Sequence, residues 1–324
     1  MGKSSVVTEI AGPKVTIMIP TFNQAEFIGE AINSALAQTY LNLEIIVGDD
    51  ASTDATPTIL AKISDPRLKY FRNSHNIGRT SNYKNLLFVH ATGDYVINLD
   101  GDDYYTDPDF ITEAVKLIKG NEDVIMVVAR ATTQAPSGNY ISKIPFQENA
   151  TGMQILSKLP DGTHFLMHMA VLYARKPALE VDFYRSAAIS SDWESLYRLS
   201  LRGIVKYLDR NVGVWRIHGL NESGTIDPVK QLANLAIWPA IFKDAAAFGM
   251  NSIIAKYRSA KCIAYFAQSS CVRVSICGNA ALLKFALNII KSYKFASVLM
   301  VLTPKYAARV VLCLTGYYRR KRAL

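Results

Sequence analysis

Three carboxylates fall within four residues, Asp100-Gly101-Asp102-Asp103, directly after the β-rich run Tyr95-Val96-Ile97-Asn98-Leu99. Like charges this close repel and raise one another's pKa, so packing alone does not account for them. A divalent cation removes the repulsion. Mg²⁺ and Mn²⁺ take oxygen ligands and keep coordination positions open for water and phosphate oxygens. For an isolated Asp-Gly-Asp-Asp, a solvated acidic turn is the plainer explanation. The neighbouring segments decide against it. Asp49, Asp50 and Asp54 follow a second apolar run, Glu44-Ile45-Ile46-Val47-Gly48. If both runs are strands of one α/β sheet, their carboxyl ends gather on one edge, where such sheets bind ligands. A nucleotide suits that crevice: one carboxylate accepts from a base N–H or a ribose hydroxyl, and a metal bridges another to a diphosphate. Neither Gly-x-Gly-x-x-Gly nor Gly-x-x-x-x-Gly-Lys occurs, so a metal is the expected phosphate anchor.

The elements that must position these groups alternate along the chain. Residues 15–19 are β-rich and closed by Pro20. Asn23, with Glu26 three residues on, has the capping-box pattern of a helix start. Phe27, Ile28, Ala31, Ile32, Ala35 and Leu36 then recur at helical spacing. Further strands are expected over 44–48, 68–71, 95–99 and 124–128, with helices over 57–63, from Asn76-Ile77-Gly78-Arg79 to about 89, and over 108–119. This alternation predicts an α/β fold on a parallel, doubly wound sheet. From 131 to 162 the pattern fades into loop-like Ser, Gly, Pro and Asn. Residues 167–174 read as another strand. Asp192 opens a helix carrying Trp193, Leu196, Tyr197 and Leu199, and 204–208 with 212–217 read as a closing pair of strands.

Of 324 residues half are apolar, enough for one large domain with an appendage or for two domains. The net charge of +9 is unevenly placed: 14 Lys and Arg stand against one acid, Asp244, in residues 231–324, while 22 basic and 26 acidic residues precede them. A boundary is therefore expected at 225, with 1–225 a catalytic domain and 226–324 a basic, mainly helical region. In that region Leu282, Phe285, Ala286 and Ile289 share one helical face, and Lys284, Asn288 and Lys291 the opposite one. Residues 295–302 and 310–314 are apolar, and the chain ends in Arg319-Arg320-Lys321-Arg322. Basic amphipathic helices of this kind suit an anionic membrane interface. The alternative is a core-covering or oligomerising bundle with a solvated basic face. Nucleic acid is not expected as a partner, because the front part is acidic and no binding motif occurs. No stretch of about 18 uncharged apolar residues suggests a spanning helix, and residues 1–13 lack a secretory apolar core. Cys262, Cys271, Cys277 and Cys313 have no metal spacing and read as reduced structural thiols of a cytosolic protein.

Four segments taken together, Ile19-Pro20-Thr21-Phe22-Asn23, Val47-Gly48-Asp49-Asp50-Ala51-Ser52-Thr53-Asp54, Asn76-Ile77-Gly78 and Asp100-Gly101-Asp102-Asp103, resemble the ordered signatures of family-2 glycosyltransferases with the GT-A fold. Asp192-Trp193-Glu194 and Trp215-Arg216-Ile217-His218 extend the resemblance to about residue 225. The resemblance implies a Rossmann-like nucleotide-diphospho-sugar transferase domain and an inverting transfer of a hexosyl or N-acetylhexosaminyl group from a nucleoside diphosphate, usually UDP, with Mg²⁺ or Mn²⁺. It places Pro20, Thr21 and Asn23 along the nucleotide, with Asp50 accepting from the base. Asp102 holds the ribose or shares the metal, and Asp103 binds metal directly. Asp100 takes the variable first position of the Asp-x-Asp pattern. Asn76 and Arg79 line the donor pocket, where a guanidinium beside a diphosphate makes physical sense. Asp192 matches the general base that the acceptor hydroxyl needs. Ser191 precedes it in place of the common Glu, which leaves open whether Asp192 or Glu194 faces inward, and whether Asp192 only caps a helix. His218, with Arg216, Asn221 and Ser223, matches a closing loop over the diphosphate, where a neutral imidazole completes the metal shell. His164 and His168 are read as structural, and Trp193 and Trp215 as core rather than sugar-stacking rings. The acceptor is expected to be a glycan or lipid-linked hydroxyl at the inner face of a bacterial membrane, in cell-surface polysaccharide or glycolipid synthesis. Association of copies through the C-terminal helices is left open. Two rivals remain. A sugar nucleotidyltransferase would need a Gly-rich triphosphate loop that residues 20–23 do not supply, and a non-catalytic nucleotide-sugar scaffold would bind without transferring.

Overall fold

The computed structural model describes residues 12–143, 148–160, 166–219 and 221–315. The element order is β1 (Val15–Thr21), α1 (Ile28–Leu36), β2 (Leu43–Asp49), α2 (Thr56–Leu60), β3 (Leu68–Arg72), α3 (Arg79–Asn85), β4 (Tyr95–Asn98), β5 (Tyr104–Tyr105), α4 (Phe110–Ile118), β6 (Val124–Ala135), β7 (Gly138–Ile141), β8 (Asn149–Thr151), α5 (Gly152–Lys158), β9 (Val171–Ala174), α6 (Arg175–Glu180), α7 (Ser191–Ser200), β10 (Ile204–Arg216), α8 (Pro228–Leu235), α9 (Ile237–Ala247), α10 (Ser252–Val274), α11 (Asn279–Ser292), α12 (Lys294–Leu302) and α13 (Pro304–Leu314). One sheet runs in the order β3-β2-β1-β4-β9-β6-β10-β5. Every residue of β1 and β2 is buried, as their unbroken apolar runs require of central strands covered on both faces.

The expectation of a parallel, doubly wound sheet holds for β3, β2, β1 and β4 and fails beyond them. β9 lies antiparallel between β4 and β6, while β10 is parallel to β6 and antiparallel to β5. An apolar run buries equally well in either direction, so composition does not carry a strand's sense. The expected loop over 131–162 is also corrected. β6 continues to Ala135 and turns into β7, β8 pairs with β10, and α5 starts from a Thr151–Gln154 capping box. The polar Thr132, Thr133 and Gln134 lie on a strand with a two-stranded extension, where apolar alternation is not demanded. The expected closing strand pair is one strand, β10, with register shifts between Tyr207 and Asn211 and between Asn211 and Val214. The bulged Asp209-Arg210-Asn211 segment bends the strand without ending it. Residues 168–170 form a short 3₁₀ turn before β9.

Two corrections fall near the site. β1 runs through Pro20 to Thr21, because β4 pairs only as far as Met18 and no ladder bond from the Pro20 nitrogen is missed. Asn23 does not cap α1, which begins at Ile28 without a side-chain cap. Asn23 takes a left-handed φ of 53° and turns toward residues 52–54.

The sheet is covered on both faces. One cluster packs α1 and α4 on β1, β2 and β6 through Ile28, Ile32, Phe110 and Ile111. The other joins α3 and α5–α7 to the C-terminal helices: Tyr197, Leu196, Trp238, Phe242 and Ile263 belong to one continuous core. The core therefore runs across the expected boundary at 225. α9 packs on α7, and α8 and α10 pack on α9, so these helices extend that core. On α11 the expected face is buried at Leu282, Phe285 and Ile289, while Leu283, Leu287 and Ile290 are exposed. Among the described residues no single helix is long and apolar enough to cross a membrane; α11 and α12, bent by 117°, reach that length only as a pair. Cys262, Cys271 and Cys313 are free and buried, and Cys277 is free and exposed. His164 and the terminal Arg319–Arg322 cluster lie outside the described residues.

Candidate active site

The tips of β1, β2 and β4 open into a cleft of about 740 Å³. Pro20, Thr21, Asp50, Asn76, Arg79, Asp100, Asp102, Asp103 and Asp192 all line it. The strand tips bring Pro20, Asp50 and Asp103 to one sheet edge, and the start of α7 brings Asp192 to the same cleft.

Asp50 is buried and already occupied. Its Oδ1 accepts from Asn73 Nδ2 (2.9 Å) and the Ile77 amide (2.8 Å), and its Oδ2 from the Gly78 amide (2.9 Å). A carboxylate offers about four acceptor positions, so one remains for a ligand N–H. Asn76 Oδ1 closes the same loop onto Gly78. Asn23 does not line the cleft. It works one layer behind, where its Oδ1 accepts from the Thr53 amide at 2.8 Å and its own amide donates to Ser52 Oγ at 2.9 Å.

The carboxylates after β4 converge. Asp100 Oδ1 accepts from Tyr83 Oη and Asn98 Nδ2, both at 2.7 Å. Asp102 Oδ2 lies 2.9 Å from His218 Nε2 and accepts from Asn221 Nδ2 at 3.3 Å. Asp103 Oδ1 accepts from the Arg216 amide at 2.9 Å. Gly101 lets this turn close onto β1: a Cβ there would collide with Gln24 Oε1. Burial, reinforced by Asp100, pushes the Asp102 carboxyl above its ordinary range, and burial with Asp102 and Asp100 pushes Asp103 well above it. One oxygen from each of the three lies within 4.8 Å of the others. Among the described residues no Lys or Arg ion-pairs with them. An all-oxygen set of three crowded carboxylates fits a hard divalent cation. His218 stands beside this trio, bonded to Asp102 and stacked on Phe27 at 5.1 Å.

Across the cleft, Asp192 sits in the first turn of α7, and Ser190 occupies the cap position without a side-chain bond to the helix; its Oγ accepts from Asn234 Nδ2 at 3.2 Å instead. Asp192 has no hydrogen-bond or ion-pair partner among the described residues. Glu194 is buried behind it against Arg185 (2.8 Å) and Arg198 (3.5 Å). Asp192 is therefore the carboxylate that faces the cleft. Trp193 and Trp215 also line it, with Trp193 packed on Phe266 at 5.5 Å. His168 lines it too and is held by Tyr184 Oη at 2.8 Å; burial lowers its pKa. Arg79 ion-pairs with Glu222 at 2.9 Å, donates to the Ile189 carbonyl and lies over the Tyr83 ring. Burial works to lower its pKa, but the charges of Tyr83, Glu222, Asp192 and Asp100 carry it above its ordinary value.

The sequence of residues 1–225 misses part of the wall. Gln231 and Asn234 of α8, and Tyr265, Phe266, Ser269 and Arg273 of α10, line the same cleft. The signal available was the spacing of Tyr265, Ser269 and Arg273, one face of a helix at four-residue intervals. A second hollow of about 630 Å³ between α9, α10 and α12 contains no carboxylate and does not suit the same chemistry.

The profile of the family described as "Glycosyl transferase family 2" matches residues 16–181, which hold β1 through α6 and all three converging carboxylates. The chain belongs to that family. An uncharacterised glycosyltransferase of Rickettsia typhi is 39% identical over 242 residues, 71% of this chain and 72% of that protein. An uncharacterised protein of Mycobacterium tuberculosis is 29% identical over 208 residues, 63% of this chain; the match spans 59% of that relative's length. The Escherichia coli UDP-Glc:α-D-GlcNAc-diphosphoundecaprenol β-1,3-glucosyltransferase WfaP is 41% identical over 91 residues, 28% of this chain and 36% of that enzyme. Among solved structures, Staphylococcus aureus TarS 1–349 in complex with UDP-GlcNAc superposes with a TM-score of 0.70 at 18% identity, over 96% of this chain and 92% of that one. The likeness establishes the GT-A fold and extends through the helical C-terminal region.

Proposed function

We propose that this family-2 glycosyltransferase is an inverting enzyme that moves a hexosyl or N-acetylhexosaminyl group from a UDP-sugar to a hydroxyl of a glycan or lipid-linked acceptor, in cell-surface polysaccharide or glycolipid synthesis. The observation that carries the reading is the meeting in one cleft of Asp50, the Asp100/Asp102/Asp103 trio and Asp192, which has no hydrogen-bond or ion-pair partner among the described residues. Pro20, Thr21, Asn76 and Arg79 border the donor, and the free acceptor position of Asp50 takes a base N–H. A Mg²⁺ or Mn²⁺ held by Asp103 and Asp102, with His218 adjoining, would offset the charge that develops on the leaving diphosphate. Asp192 takes the proton of the acceptor hydroxyl as its oxygen attacks the anomeric carbon. The bond to the diphosphate breaks on the opposite face, so the configuration inverts.

We further propose that the protein sits on the cytoplasmic face of the cell membrane. Leu287, Val298 and Val301 are more than half exposed, and Lys284, Lys291 and Lys294 stand among them. Apolar insertion and cationic attraction to an anionic leaflet then act together.

A thermal-shift panel of nucleoside diphosphates with Mn²⁺ tests the donor assignment. UDP at 100 times its dissociation constant should stabilise the fold by about 2.7 kcal/mol. Asp103→Ala should lose that gain. No UDP stabilisation, or an undiminished one in Asp103→Ala, would remove the proposal.

A further inference from the structure

Arg79, Lys230 and Glu222 all line the cleft, and the two cations share the one carboxylate. Glu222 lies 2.9 Å from Arg79 Nε and accepts from Lys230 Nζ at 3.1 Å. The contact with Arg79 is poorly aimed. At 2.9 Å the Nε–H is near enough to bond, yet this buried donor has no hydrogen bond among the described residues. All three side chains keep partial contact with water. Ion pairs of this kind contribute little and give way to a better anion.

The group stands beside the converging carboxylates. Glu222 directly follows Asn221, whose Nδ2 reaches Asp102 Oδ2 at 3.3 Å, and it opens the short 3₁₀ turn Glu222–Gly224. Arg79 begins α3, and its guanidinium lies 5.6 Å from the centre of the Tyr83 ring, whose hydroxyl donates to Asp100 at 2.7 Å. Lys230 comes from the first turn of α8, which Asp227 caps. A diphosphate at the trio therefore meets two cations that Glu222 already occupies.

We propose that Glu222 stands in for the donor's diphosphate. It neutralises Arg79 and Lys230 before the donor binds, yields them to the diphosphate, and returns to them as the product leaves. This rests on the nucleoside-diphosphate reading above and adds to it an internal competitor and a second phosphate-binding cation, Lys230. Two anions cannot share the same two cations without repelling each other. The diphosphate is the stronger occupant, because its oxygens match the paired N–H donors of a guanidinium. Donor affinity is thus lower than Arg79 and Lys230 alone would make it, and the departure of the nucleoside diphosphate is correspondingly eased.

Titration calorimetry of the full chain in saturating Mn²⁺ tests this, with UDP as the ligand and uridine as the phosphate-free probe. Glu222→Gln should bind UDP about 3- to 30-fold more tightly than wild type, the size of two partly exposed ion pairs that no longer have to be broken. Its uridine affinity should equal that of wild type. Glu222→Asp keeps the charge on a shorter arm and should give a smaller gain for UDP. UDP bound by Glu222→Gln no more tightly than by wild type would overturn the proposal, and weaker binding would make Glu222 a support that positions Arg79. A gain shared by uridine would also overturn it, because that marks a loosened cleft and not the release of two cations. Wild type binding UDP no better than uridine would instead remove the diphosphate reading itself, so the two failures are told apart.

Discussion

At the residue scale the site depends on which carboxylates have partners. Glu194 lies within reach of two arginines and Asp50 is held by three donors, whereas Asp192 is left open to the cleft. An uncommitted carboxylate can take a proton, and a saturated one is an anchor. Asp192→Asn should therefore lower kcat by about 10²- to 10⁴-fold while the UDP affinity stays the same; steady-state kinetics with a UDP titration checks both. Glu44 illustrates the opposite use of a carboxylate. Burial works to raise its pKa, but hydrogen bonds from Thr16, Lys14 and Thr92 prevail and bring it down to about 2 from 4.5. Because the folded value lies below the unfolded one, the stability it contributes is present above about pH 4.5 and is lost as the pH falls toward 2. A shift of this size corresponds to about 3 kcal/mol. Unfolding free energies of wild type and Glu44→Gln should differ most near neutrality and converge at low pH. A difference that stayed constant from pH 7 to pH 2 would contradict this account.

At the element scale, short loops are locked to strand tips by side chains from other segments. The loop over 73–78 has no regular structure, yet Asp50 gathers the Asn73 side chain and the Ile77 and Gly78 amides, and Gly78 leads into α3 with a φ of 88°. α3 in turn delivers Tyr83 to Asp100 and Asn82 to the Gly48 carbonyl. In Asp50→Ala the Ile77 amide loses its acceptor, while the Gly78 amide keeps Asn76 Oδ1 at 3.0 Å. Hydrogen exchange at Ile77 should quicken about 10- to 100-fold, the cost of a buried unsatisfied donor, while exchange in β1 and β2 is unaltered. Unchanged protection at 77 would mean that the loop is held by something other than Asp50. The hairpin β6–β7 and the bulged β10 belong to the same scale: β10 carries Trp215 and Arg216 back over the end of β4, and the Arg216 amide meets Asp103 there.

At the scale of the whole molecule, the helical region is both a wall of the cleft and a candidate membrane surface. α9 and α10 place Trp238, Phe242 and Ile263 in the core beneath α7, so deleting residues 231–324 would remove part of that core along with the exposed face. The membrane reading is better tested by substitution. Leu283, Leu287 and Ile290 are 58, 56 and 53% exposed on α11. Changing all three to Gln should leave the melting temperature close to that of wild type and abolish flotation with anionic liposomes. Flotation equal to wild type would exclude this face as the contact.

The amino-acid pattern by itself determined the strand tips and their acids. Runs such as 44–48 and 95–99 are apolar enough to read as buried strands, and the acids that follow them, Asp49/Asp50 and Asp100/Asp102/Asp103, crowd more like charge than a turn needs. Local patterning was sufficient there because burial of a strand and repulsion between adjacent charges are decided within a few residues. Strand direction, the continuity of β10 across its bulge and the hairpin inside 131–162 were not legible, because each depends on a partner strand and not on the run itself. For the same reason the sequence left Asp192 and Glu194 undecided: both carboxylates are in the first turn of α7, and only the packing of Arg185 and Arg198 turns one of them inward. Only the tertiary structure brought α10 to the cleft. Its approach is set by Trp238 and Phe266 stacking 4.8 Å apart over α7, a contact between distant segments that no local periodicity encodes.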